Sequence, residues 1–170
     1  MKYLIVDDKL ENLNAARKYF REKASYASNT LEGIEKLAIE SFEEVISDLE
    51  MEHKKSGLDI AHAAGILGVP TYIATGGLGH GKDYVRVIPD GGEIYGSKDN
   101  PEIWRDIEGI TRYAGKNIRM IKDALLPGKG FPWDMIEWFY VLELGFYQPS
   151  NEMKELIFSK LKNDNGVKRK

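Results

Sequence analysis

A doubly wound α/β sheet with right-handed crossovers is the fold this sequence predicts, on three observations. Short apolar, β-branched runs alternate with segments of helical period, several of those runs stop at an acidic or hydroxyl residue, and glycine or proline punctuates the joints. Tyr3-Leu4-Ile5-Val6 is a continuous apolar run closed by Asp7-Asp8, which suits a strand buried on both faces. Residues 10–23 place Leu10, Leu13, Ala16 and Phe20 at helical spacing with Arg17, Lys18 and Arg21 between them, an amphipathic helix for one face of the sheet. Residues 24–28 form a weak second strand, and Asn29-Thr30 caps a helix with the stripe Leu31, Ile34, Leu37 and Ala38. Glu44-Val45-Ile46-Ser47 is a third strand ending at Asp48; a polar loop leads from it to Gly57 and a helix over 58–67, stopped by Gly68 and Pro70.

Residues 70–75 make the fourth strand, ending at Thr75. Residues 93–97 are the expected fifth, followed by Lys98 and a helix over 101–112; the alternative fifth strand is 84–88, with no lysine at its end. Between strands four and five, Gly76, Gly77, Gly79, Gly81, Gly91 and Gly92 with Pro89 make a poor helix. The fourth crossover is therefore expected to be short, or replaced by loop and extended chain. A five-stranded parallel sheet over residues 1–113 results.

From residue 114 the pattern turns helical, with segments at 116–126, 133–145 and 151–161 separated by Pro127-Gly128-Lys129-Gly130 and Gln148-Pro149-Ser150. Residues 114–162 read as a helical extension packing on the α/β domain, and 163–170 as a disordered basic tail. Trp133, Trp138, Phe139, Tyr140, Phe146 and Tyr147 crowd this extension. They suit packing on the domain core, or a docking surface for a protein partner or a second copy.

The 170-residue length fits one domain with an appendage, and 42% hydrophobic with 30% charged residues is a soluble globular composition. A net charge of −3 supplies no overall field for a polyanion, so there is no strong nucleic-acid signal. The absence of cysteine excludes disulfides, thiolate metal sites and cysteine nucleophiles. The apolar run after Met1 is too short for a signal peptide or a membrane helix, so a cytoplasmic protein is expected. The histidines His53, His62 and His80 share no metal-ligand spacing, and only His80, in the glycine loop after Thr75, falls near the strand ends.

In open parallel sheets the functional crevice lies at the carboxyl ends of the strands. Asp7, Asp8, Asp48, Thr75 and Lys98 all fall there. Three carboxylates converging on one crevice repel one another, and a hard cation such as Mg²⁺ relieves that repulsion. A hydroxyl and an ammonium facing it can hold the other oxygens of a phosphoryl group.

Asp7-Asp8, Asp48, Thr75 and Lys98, in that order on alternating strands, resemble the receiver domain of two-component response regulators over roughly residues 1–113. The resemblance implies a flavodoxin-like fold and a Mg²⁺-dependent phosphoryl acceptor at Asp48, or a degenerate descendant of one. Asp7, Asp8, Asp48 and the backbone carbonyl of Glu50 would hold the metal, and Lys98 and Thr75 the phosphoryl group. Thr75 and Tyr95 would be the switch residues, Gly76 the small residue beside Thr75, and Gly57 the glycine opening the third helix. The implied partner is a histidine kinase or a phosphotransfer protein. Two other readings stand beside it. One is an interaction module that carries no phosphate and docks through the aromatic C-terminal helices. The other is a phosphatase of the haloacid-dehalogenase type, since residues 6–12 are similar to an acid-bearing stretch of that superfamily, although Lys9 stands where an acid is wanted if Asp7 is the nucleophile.

Overall fold

The computed structural model describes residues 2–76, 84–88, 93–116 and 147–163. It is an α/β protein built on one six-stranded, mostly parallel sheet of order β2-β1-β3-β4-β5-β6. The elements run β1 (Tyr3–Val6), α1 (Leu10–Phe20) with a 3₁₀ turn Arg21–Lys23, β2 (Ala24–Ala27), α2 (Thr30–Ile39), β3 (Glu44–Ser47) and α3 (Ser56–Ile66). They continue as β4 (Thr71–Thr75), β5 (Tyr84–Ile88), β6 (Glu93–Tyr95), α4 (Pro101–Lys116) and α5 (Asn151–Asn163). Strands β1 to β4 pair parallel, with Val6 opposite both Ala27 and Ser47.

The sheet departs from the five-stranded parallel expectation at β5, which runs antiparallel between β4 and β6, with Thr75 opposite Arg86 and Tyr84 opposite Tyr95. Both segments that competed for the fifth position are strands. The reason is chain length: residues 76–83 and 89–92 are each shorter than the dozen or so residues a parallel crossover needs, so the chain must turn back on itself. All five positions of β5 are buried, and Val85 and Val87 join the core. β6 therefore runs parallel to β4 but stands one strand further out.

Alternation along β1 divides the core in two. Tyr3 and Ile5 pack with Leu13, Ala16 and Phe20 of α1, with Trp104 and Ile107 of α4, and with Ile46, Ala74 and Val85. Leu4 and Val6 face Ile34 and Leu37 of α2 and Ile60 and Ala63 of α3. Ile157 and Leu161 of α5 complete that second cluster, and Lys160 Nζ meets Glu35 at 2.6 Å, so α5 packs against α2 on this face. The helix expected over 101–112 continues to Lys116, through the boundary expected at 113. The helical segments expected at 116–126 and 133–145, and the tail expected over 163–170, lie outside the described residues apart from Lys116 and Asn163; the latter ends α5 rather than beginning a tail. Among the described residues no helix is long and apolar enough to cross a membrane.

Candidate functional site

The ladder that aligns the strands also aligns the acids. Beyond the strand ends, Asp7 N–H donates to the Ala27 carbonyl at 3.1 Å and Asp48 N–H to the Val6 carbonyl at 2.8 Å, so the two aspartates leave neighbouring strands side by side. Asp7 is 1% exposed, Asp8 exposed and Asp48 in between. One carboxylate oxygen from each lies within 4.8 Å of the other two. Burial first, then the charges of Asp7 and Asp48, hold the Asp8 carboxyl above its ordinary pKa.

Lys98 enters this cluster from the far strand. Its ammonium, 7% exposed, donates to Asp7 Oδ2 at 2.6 Å, to Asp48 Oδ1 at 2.9 Å and to the Ala74 carbonyl at 2.8 Å. Burial works against its charge, but the two carboxylates outweigh that, and the Lys98 pKa lies above its ordinary value. The lysine can return across β5 because of the turn before it. Gly96 has φ +136°, a conformation that disfavours any side chain, and a Cβ there would stand 2.4 Å from Ile103 Cδ1. The buried Trp104 then fixes the turn, its Nε1–H donating to the Lys98 carbonyl at 2.8 Å.

Asp7 is the most heavily bonded of the acids. Lys9 N–H donates to its Oδ1 at 2.9 Å, and Asn12 Nδ2 lies 3.0 and 3.1 Å from its two oxygens. With Lys98 on Oδ2, both oxygens are engaged, so Asp7 serves as the anchor of the site. Asn12 went unread in the sequence; its signal was a polar side chain placed one helical turn after Asp8 and buried in α1. The loop after Asp48 is drawn in by Gly57, whose N–H donates to the Leu49 carbonyl at 2.9 Å.

The crevice has a volume of about 800 Å³, and Asp8, Asp48, Glu50, Thr75, Gly76 and Lys98 are on its wall. Tyr84 and Val85 of β5 line it as well, a wall the five-strand expectation lacked. Thr75 is buried at the end of β4, and Tyr95 lies on β6 with 81% exposure. The structure thus brings Asp7, Asp8, Asp48, Thr75, Lys98 and Glu50 to one place and leaves Tyr95 on the surface. His53 is held by Asp59 away from this cluster, and His80 lies outside the described residues, as do the aromatic side chains at 133–146.

An all-oxygen set of three carboxylates, one of them open to solvent, suits a small hard cation that keeps several waters. The single ammonium of Lys98 offsets only part of the negative charge. Comparison with known proteins finds no family model, no curated protein and no solved structure that matches this chain.

Proposed function

We propose that this chain is a receiver-like signalling domain of flavodoxin-like descent, with Asp48 as a Mg²⁺-dependent phosphoryl acceptor. The observation that carries the reading is the convergence of Asp7, Asp8 and Asp48 within 4.8 Å, with Lys98 bridging Asp7 and Asp48. The order β2-β1-β3-β4 supports it, since it is the start of the flavodoxin-like doubly wound order, with β5 standing between β4 and the strand that leads to Lys98.

In this reading an oxygen of the Asp48 carboxylate attacks the phosphorus of a phosphodonor. The bond to the leaving group breaks, its electron pair departs with that group, and a proton from solvent completes the leaving group. Asp7, Asp8, Asp48 and the Glu50 carbonyl would hold Mg²⁺, which would supply positive charge to offset that of the phosphoryl group. The Lys98 ammonium, already on Asp48, pairs with a phosphoryl oxygen, and the Thr75 hydroxyl donates to another. Asp7 keeps Lys98 in place. A nucleophilic role for Asp7, as a haloacid-dehalogenase reading would need, sits poorly with its 1% exposure, whereas Asp48 is partly open and on the crevice wall. The donor would be a histidine kinase or a phosphotransfer protein.

The test is intact mass after incubation with Mg²⁺ and acetyl phosphate. One phosphoryl adduct is expected on the unmutated chain and none on Asp48→Asn. An unmodified chain with measured Mg²⁺ binding would overturn the acceptor role and leave the interaction module.

A further inference from the structure

Asp59 lies outside the crevice, yet it ties two elements together. It stands in the first turn of α3, 1% exposed. Its Oδ1 accepts a hydrogen bond from the Tyr147 hydroxyl at 2.8 Å, and its Oδ2 lies 2.7 Å from His53 Nε2. His53 Nδ1 accepts from the Lys55 N–H at 3.1 Å, so the neutral ring carries its proton on Nε2 and donates it to Asp59. The Lys55 ammonium closes the circle over the Tyr147 ring, 5.6 Å from its centroid.

The two ends of this chain of contacts matter. His53 and Lys55 belong to the loop that begins directly after Asp48 and puts Glu50 and Met51 on the crevice wall. Tyr147 leads into α5, which is held on the far side by Ile157, Leu161 and the Lys160–Glu35 pair.

We infer that the Tyr147–Asp59–His53 relay couples the docking of the 147–163 segment to the conformation of the crevice loop, making that segment a regulatory element of the crevice. A buried carboxylate does not give up a donor cheaply. If Tyr147 withdraws, Asp59 Oδ1 must turn or admit water, and His53 and the Lys55 amide follow. The coupling is reciprocal, so whatever reshapes the loop at the crevice changes the hold on Tyr147. The relay itself needs no ligand; its effect on cation binding rests on the function proposed above.

The experiment is residue-resolved amide exchange on the full chain, Tyr147→Phe against the unmutated protein, without divalent cation. Exchange at Lys55 is expected to quicken by about 3- to 10-fold while β1 and β3 keep their rates. Asp59→Asn should give the same local pattern. Unchanged exchange at Lys55, or equal acceleration everywhere, overturns the relay. A calorimetric Mg²⁺ titration separates the two claims. Where the unmutated chain binds Mg²⁺, Tyr147→Phe should change Kd by about 2- to 10-fold, and an unchanged Kd overturns the coupling. No Mg²⁺ heat in the unmutated chain overturns the metal site, and the relay is then judged on exchange alone.

Discussion

Glu44 opens β3 with a carboxyl that is 6% exposed and whose Oε1 has no hydrogen-bond partner among the described residues. Burial pushes its pKa up to about 7; a hydrogen bond with Thr111 and the charge of Arg112 oppose the rise, while Glu108 adds to it. The folded state therefore holds a proton that the unfolded chain releases at the ordinary carboxylate range. The resulting stability is complete below that range and is lost as pH rises through about 7. Glu108 behaves oppositely. Burial works against its charge, but hydrogen bonds from Tyr19 and Tyr3 and the Arg112 charge lower its pKa, so its contribution is lost as pH falls. Glu44→Gln should flatten the decline in stability between about pH 5 and 8. The difference is at most about 3 kcal/mol, and less to the extent that water reaches the carboxyl. Urea unfolding across that range checks it. Parallel curves for the two proteins would show that Glu44 is not held neutral.

At the scale of the element, the start of α3 is where packing and site geometry meet. A Cβ on Gly57 would stand 2.1 Å from the Asp48 carbonyl oxygen and 2.9 Å from Leu49 Cα, both backbone atoms with no side-chain freedom to yield. Gly57→Ala should cost about 2 kcal/mol and displace the loop bearing Asp48. Gly109, in α4, has no atom within 4 Å of its would-be Cβ, and Gly109→Ala should add roughly 0.5–1 kcal/mol through helix propensity. Thermal unfolding of both variants checks the contrast, and a loss from each would contradict it. Four parallel strands, α1 to α3 and the five site side chains were legible because each follows from a local period and a residue at a strand end. The antiparallel β5 was legible only as an alternative strand, because direction is set by connection length and not by composition. Asn12, Gly96 and Trp104 escaped because their roles depend on contacts made only when distant elements meet.

For the whole molecule, the sheet gathers three carboxylates and one ammonium at a single edge, so the ligand-free fold carries uncompensated negative charge there. That excess opposes folding, and two substitutions separate its parts. Asp8→Asn removes the acid whose ionisation is opposed by partial burial and by Asp7 and Asp48, and should raise Tm in the absence of divalent cation. Lys98→Ala leaves the buried Asp7 and the half-buried Asp48 without their cation and should cost about 3 kcal/mol. Mg²⁺ at a hundred times its Kd should stabilise the unmutated chain by about 2.7 kcal/mol. That gain should vanish in Asp8→Asn although this variant starts from the higher Tm. Opposite signs without and with Mg²⁺ would be the mark of an acid kept for a cation at a cost to the empty fold. An Asp8→Asn chain that gains as much from Mg²⁺ as the unmutated one would remove Asp8 from the metal site.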